Sequence, residues 1–306
     1  MWQLDNIIIQ VANDIKDIKI QWATNIAREA CKVMEKQLRS KKFSSKKDLK
    51  VFFDKSTKLL IDARETEPLL RNGMKYARSK LLHGADKLDL ADAFAEYLTW
   101  IEEEEKIRSE VGASLIDDGE NIVTHCHSWS VVKVLVKAWE DWKKIHVYNT
   151  ETRPLYQWRK TSKELVKAWV PDTMITDSSA AFFVDNLYDN EIYINKVFLW
   201  ADCIRTNWDT INKIWSFSIW LSAWHSGVPL YIVWSLLKVD VTNTIGIETR
   251  SGTELWPEAP EKLNILNYAF DLVPAKCITG ILTEFGVIRP ENILKEISKR
   301  YPWMLE

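Results

Sequence analysis

The chain has 306 residues, 46% apolar and 27% charged, enough to bury the cores of two ordinary domains. Its 41 basic and 43 acidic residues are mixed along the whole length and leave a formal net charge of -2, so there is no basic field to hold a polyanion, which argues against nucleic acid as a partner. Cys31, Cys126, Cys203 and Cys277 lie far apart without C-x-x-C spacing, which speaks against a disulfide framework or structural zinc and for a reducing, cytoplasmic compartment.

Met1-Trp2-Gln3-Leu4-Asp5 has no basic n-region, and the apolar run Ile7-Ile8-Ile9 stops at Gln10, so no signal peptide is expected. Residues 3 to 117 read mainly as helix. Ile15, Ile18, Ala23, Ile26, Ala27, Ala30 and Val33 recur mostly at three- and four-residue spacing, with Asp14, Lys16, Asp17 and Lys19 on the intervening positions, the pattern of one amphipathic helix or two in tandem. The Lys/Ser-rich run Ser40 to Lys47 is a polar connection, and helical patterns follow at 48–62, 66–83 and 88–117. Glu102-Glu103-Glu104-Glu105 reads as a solvated helix face.

From residue 119 short β-branched runs alternate with helices. Strands are expected at 121–124, 145–148, 173–176, 193–199, 230–233 and 278–283. The fold class is therefore α/β: an N-terminal helical domain over 1–117, then a Rossmann-like parallel sheet domain over 118–306, whose ligands bind beyond the carboxyl ends of the strands. Ile214 to Leu237 holds no charged residue over 24 positions, but Gly227-Val228-Pro229 interrupts it. A helix ending near His225, a turn and a buried strand are expected there, not a membrane span.

Thr124-His125-Cys126-His127-Ser128 follows the first strand and precedes a helix from about residue 129. A thiol there sits near a helix N-terminus, which favours a thiolate or a bound phosphate; the other reading is a small buried cysteine. His125 and His127 lack a nearby carboxylate ligand, so no metal is expected. Asp202 follows the strand ending Val197-Phe198-Leu199, either an acid where a parallel sheet keeps its active site or a cap or turn residue. Asn212-Lys213 reads as opening a helix and Lys238 follows the next strand. An amide and two ammonium groups on one sheet edge suit a phosphorylated small molecule.

Thr124-His125-Cys126-His127-Ser128, Thr150-Glu151-Thr152-Arg153-Pro154, Ala201-Asp202, Asn212-Lys213-Ile214 and Asn267-Tyr268-Ala269-Phe270-Asp271 resemble, in this order, the motifs of the family of ribose-1,5-bisphosphate isomerases, methylthioribose-1-phosphate isomerases and the alpha, beta and delta subunits of eukaryotic initiation factor 2B. The resemblance runs from about residue 13 to the end. It implies conversion of ribose 1,5-bisphosphate to ribulose 1,5-bisphosphate without a metal or organic cofactor, by a homo-oligomer, dimer or hexamer. It makes Cys126 the proton acceptor and Asp202 the proton donor, and assigns substrate binding to Gln21, Trp22, Ala23, Thr24, Arg64, Ser128, Trp129, Ser130, Asn212, Lys213 and Lys238. Gln21 stands where these isomerases more often carry arginine. The alternatives within the resemblance are a methylthioribose-1-phosphate isomerase, disfavoured by His127-Ser128 after the cysteine, and a non-catalytic regulatory subunit, disfavoured by having both Cys126 and Asp202.

One feature of composition is abnormal: 9 glycines and 16 tryptophans, where ordinary usage gives about 21 glycines. The resembled family has glycine where this chain has Trp22, Trp129, Trp158, Trp200, Trp208 and Trp215, and also Trp142, Trp169, Trp220 and Trp234. An aromatic ligand box would not fall selectively on such positions, and true divergence needs many separate losses of backbone freedom. UGA codons that specify glycine but are read as tryptophan account for the match, with Trp139 and Trp224 as genuine tryptophans.

Overall fold

A computed structural model of the chain describes residues 5–65, 67–186, 191–205, 207–241 and 246–306, without the side chain of Cys277. The helical periodicity resolves into α1 (Asn6–Lys16), α2 (Ala23–Ser40), α3 (Lys46–Asp62), α4 (Pro68–Leu82) and α5 (Lys87–Ser114). The starts are chemically marked: the Asp5 side chain accepts from the Ile7 N–H, Ser45 accepts from the Asp48 N–H, and Pro68 begins α4. Ile8, Ile15, Ile26, Met34, Leu38, Phe53, Leu60, Leu70, Phe94 and Tyr97 are fully buried, each contributing about 1.5–3 kcal/mol of transfer free energy. A Cβ at Gly73 would lie 2.8 Å from the Tyr97 ring, so close packing here needs a residue without a side chain.

The chain forms two compact units. The first is Met1–Glu103, Leu237–Val241 and Lys295–Glu306; the second is Glu104–Leu236 and Thr242–Leu294. Where the sequence suggests one cut near residue 117, the division falls inside α5. Within the first unit, Asn72 Nδ2 donates to the Leu237 and Val239 carbonyls at 2.7 and 3.1 Å, and Arg71 pairs with buried Asp240 at 2.8 Å.

The acidic run on α5 is not the fully solvated face expected. Glu102 and Glu103 are exposed, but Glu104 is buried, because helical rotation brings it onto the face of Ile101 and Arg108. In the second unit the Ser235 hydroxyl donates to Glu104 at 3.0 Å, and Arg108 lies 3.5 Å from Glu104 and 3.0 Å from Glu284.

The second unit runs β1 (Asn121–Thr124), α6 (Trp129–Glu140), β2 (His146–Thr150), α7 (Trp158–Lys167), β3 (Asp172–Ile175), α8 (Ala180–Val184), β4 (Lys196–Trp200), β5 (Cys203–Arg205), β6 (Thr210–Lys213), α9 (Ser216–His225) and β7 (Leu230–Val233). After β8 (Val239–Asp240), which belongs to the first unit, come β9 (Thr249–Arg250), β10 (Asn267–Tyr268), β11 (Phe270–Val273), β12 (Gly280–Thr283), β13 (Gly286–Ile288) and α10 (Ile293–Arg300). The main sheet has the order β13-β12-β7-β4-β1-β2-β3 and is parallel except for the β12–β13 hairpin. Its core gathers Ile122, Val134, Leu135, Val147, Leu165, Phe198, Val233 and Leu282.

Strand order reverses at β1, which pairs with β2 on one side and β4 on the other. That junction is the switch point at which α/β sheets open a crevice for ligands. The six expected strands are present within a few residues. The uncharged stretch is α9, a turn at Gly227 and β7, and among the described residues no helix is long and apolar enough to cross a membrane. Asn212 and Lys213 do not open a helix as expected: they end β6, which pairs antiparallel with β5 and β11, and α9 begins at Ser216.

Candidate active site

The loops that follow β1, β2 and β3 are tied to one another. Beyond Thr124 a short loop leads to Ser128, whose hydroxyl accepts from the Val131 N–H and caps α6. Between them Cys126 takes a φ of 67°, a strained conformation for a residue with a Cβ. It is held from both sides: its N–H donates to Thr152 Oγ1 at 3.0 Å, and its carbonyl accepts from the Thr161 hydroxyl at 3.0 Å. Thr152 is fixed in turn, because Asp177 accepts from the Thr152 and Arg153 N–H groups at 2.8 and 2.7 Å.

The two histidines brace this loop. His125 bonds through Nδ1 to Thr150 Oγ1 and through Nε2 to the Ile214 carbonyl at 2.8 Å. A carbonyl only accepts, so Nε2 carries the proton in the neutral ring. Burial drives the His125 pKa down to about 4, against the pull of Asp177. His127 meets Thr161 Oγ1 at 3.1 Å, and burial, helped by the charge of Lys160, also takes it down to about 4.

The Cys126 thiol is buried and donates to Gln157 Oε1 at 3.5 Å. Burial pushes its pKa up to about 12 and the Asp202 carboxylate adds to the rise, while the His127 N–H and the Lys213 ammonium oppose it. The thiolate favoured from the helix terminus is therefore not the resting form; desolvation outweighs the helix end. The same balance places Asp202 and Lys213 within electrostatic reach of the sulfur.

Asp202 follows β4, the strand beside β1, and its N–H donates to the Ile211 carbonyl at 3.0 Å. Lys213 is buried at the end of β6, its ammonium 5.6 Å from the Phe270 ring centre. Asn212 is buried too: its amide donates to Ser216 Oγ at 2.8 Å and its Oδ1 has no partner in the structure. Opposite Asn212 on β11, Asp271 accepts from the Phe217 N–H at 3.0 Å, and burial raises its carboxyl pKa to about 7.

The expected binding residues divide between the units. Cys126, Ser128, Trp129, Ser130, Asp202, Asn212 and Lys213 belong to the second; Gln21, Trp22, Ala23, Thr24, Arg64 and Lys238 belong to the first. Lys238 is thus not grouped with Asn212 and Lys213 in one unit. Within the first unit, Gln21 Nε2 donates to the Ile18 carbonyl at 2.8 Å and Trp22, Ala23 and Thr24 open α2. Arg64 lies 3.4 Å from Glu67, whose carboxyl pKa is raised by burial and pulled back by Arg64, Lys238 and Arg71. Arg64 and Lys238 therefore share a neighbourhood. A cavity of about 690 Å³ in the first unit, lined by Tyr76, Lys80, His83, Asp92, Glu96 and Trp303, contains none of these residues. Asp177, Gln157, Thr161 and a role for Asp271 were not anticipated, although Thr152 and Asp271 fall inside motifs that the sequence displays.

With this geometry in place, known proteins give a consistent comparison. The profile of the Initiation factor 2 subunit family matches residues 19–290. A ribose 1,5-bisphosphate isomerase of Thermococcus kodakarensis is 31% identical over 316 residues, covering 98% of this chain and 96% of its own. A methylthioribose-1-phosphate isomerase of Trichlorobacter lovleyi is 38% identical over 205 residues, 61% of this chain and 58% of its own. The crystal structure of translation initiation factor eIF-2B from Pyrococcus horikoshii OT3 matches with a TM-score of 0.77 at 21% identity, covering 94% of this chain and 98% of that one, a likeness of fold. By the span of the profile and the identity held over nearly its whole length, the chain belongs to the initiation factor 2 subunit family.

Proposed function

We propose that this chain is an isomerase that converts ribose 1,5-bisphosphate to ribulose 1,5-bisphosphate, with Cys126 as base and Asp202 as acid. The observation that carries the reading is the placement of a thiol and a carboxyl group after β1 and β4, the paired strands at the switch point, within electrostatic reach of each other and of Lys213. Full-length similarity to isomerases of this name supports it.

Carbon 1 of the substrate is bonded to phosphate, so the sugar opens by breaking its bond to the ring oxygen. Asp202 delivers a proton to that oxygen while the Cys126 sulfur takes the proton from carbon 2, leaving an enol between carbons 1 and 2. The enol hydroxyl then gives its proton to the Asp202 carboxylate, the Cys126 thiol returns its proton to carbon 1, and the ketone forms at carbon 2 with both groups restored. The raised thiol pKa makes the thiolate a strong base once it is formed, though not the resting form. An Asp202 that holds a proton has no charge to oppose the thiolate, so the active form arises when one proton sits on the carboxyl group rather than the sulfur. Lys213 and the N-terminus of α6, both in the second unit, supply groups for phosphate, which lends binding energy away from the reacting carbons. The enzyme works without metal or organic cofactor, in the cytoplasm, as a dimer or hexamer.

Incubation with ribose 1,5-bisphosphate and, separately, methylthioribose 1-phosphate tests the reading. The expected result is ketose from the bisphosphate, abolished by Cys126→Ser and by Asp202→Asn. Turnover of the thioether substrate alone, or of neither, overturns it.

A further inference from the structure

Glycine is the residue that tolerates positive φ, and a bulky aromatic residue is among the least suited to it. Among the described residues, nine non-glycine positions have positive φ, and five of them are tryptophan: Trp22, Trp142, Trp169, Trp208 and Trp215, at 74°, 66°, 63°, 72° and 85°. Tryptophan supplies only 16 of the 306 residues, so this concentration is far from proportional.

The helix ends provide an internal comparison. At the end of α4, Gly84 N–H donates to the Leu81 carbonyl and Ala85 N–H to that of Lys80; at the end of α9, Gly227 N–H donates to Trp224 and Val228 N–H to Ala223. These pairs are the Schellman motif, with glycine at its left-handed position. The ends of α6 and α7 repeat it bond for bond, Trp142 to Trp139 with Lys143 to Ala138, and Trp169 to Val166 with Val170 to Leu165. Tryptophan now stands where α4 and α9 have glycine. Their indoles gain nothing in return, since Trp142 is 91% and Trp169 is 84% exposed. Ile18 closes α1 in the same way, at a φ of 61°, so the motif admits an exception; five tryptophans are not covered by one.

The remaining sites agree. Trp22 precedes α2 with φ 74° and ψ 131°, outside even the left-handed helical well. Trp208 follows Asn207 in the β5–β6 turn, whose Trp208 N–H donates to the Arg205 carbonyl at 2.9 Å, a place for the glycine of an Asn-Gly turn. Trp215 precedes α9 in the left-handed conformation. At Trp158, Trp220 and Trp234 the indole N–H is buried and has no acceptor in the structure, whereas a buried indole usually finds one.

We infer that the functional polypeptide carries glycine at positions 22, 142, 169, 208 and 215, encoded by UGA and inserted by a glycine-charged tRNA that reads that codon. The inference rests on backbone geometry and does not depend on the catalytic reading. It is tested first by the codons at these positions in the source DNA and by peptide masses of the chain purified from its source. UGA codons with glycine-bearing peptides are expected; UGG codons, or tryptophan-bearing peptides at these positions, overturn it. A second measurement uses recombinant chain: Trp142→Gly and Trp169→Gly should each raise Tm by a few degrees, while Trp139→Gly in the last turn of α6 should lower it. Equal losses at all three would show tryptophan suited to the left-handed sites and overturn the inference.

Discussion

Cys126 and Asp202 constrain each other through charge. The Asp202 carboxylate is one of the two influences that raise the thiol most, second only to burial. Asp202→Asn removes that charge without changing the shape of the side chain, so the thiol pKa should fall and alkylation by iodoacetamide at pH 8 should quicken, by roughly tenfold for each unit of fall. Turnover should vanish in the same variant because its acid is gone. Alkylation unchanged or slowed would separate the two groups and remove the coupled acid and base. The position of each residue, two past a strand of the parallel sheet, was legible in the sequence, but that position also fits a buried cysteine and a turn acid, and their roles come from the family resemblance alone. Asp177 and Gln157 were not legible: they act on Thr152 and Cys126, 25 and 31 positions away, and no local pattern carries a partner across that distance. The depressed histidines were equally hidden, since desolvation is a property of the folded interior.

At the scale of elements, Asp271 ties β11 to the start of α9 by accepting the Phe217 N–H, a carboxylate where the helix dipole welcomes negative charge. Burial nevertheless lifts its pKa to about 7. The folded chain therefore binds more protons here than the unfolded chain between about pH 4 and 7, so this group's contribution to stability is present below its unfolded pKa and is lost as pH rises through 7. Asp271→Asn keeps an acceptor for Phe217 but cannot ionise. Relative to the parent, the variant should gain stability between pH 5 and 8, by about 1–2 kcal/mol after allowance for solvent screening; urea unfolding at the two pH values reads the difference, and a constant offset would show that Asp271 does not titrate in this range. The long periodic helices and the β-branched strands β1, β3 and β7 were plain in the sequence. Short β5, β6 and β11 were not, because three or four residues with polar members give no reliable alternation, and Asn212-Lys213 before an apolar run imitated a helix start.

For the molecule as a whole the tryptophans set the margin. A left-handed conformation costs an L-residue about 1–2 kcal/mol, so five such sites in separate turns sum to roughly 5–10 kcal/mol if they act independently. The total stability of a folded chain is about 5–15 kcal/mol. Tryptophan at all five positions would therefore consume most of the margin, and the full-length chain made that way should be poorly soluble or loosely packed, while the version with glycine at the five positions should unfold cooperatively. Denaturant titration of both distinguishes a loss of strain from a changed fold: relief of strain moves the midpoint upward and leaves the dependence on denaturant unchanged, because the surface exposed on unfolding is almost the same. A midpoint that does not move would mean that the packing of the indoles offsets their backbone cost, and Trp142 and Trp169, projecting into solvent, are the residues least able to provide it.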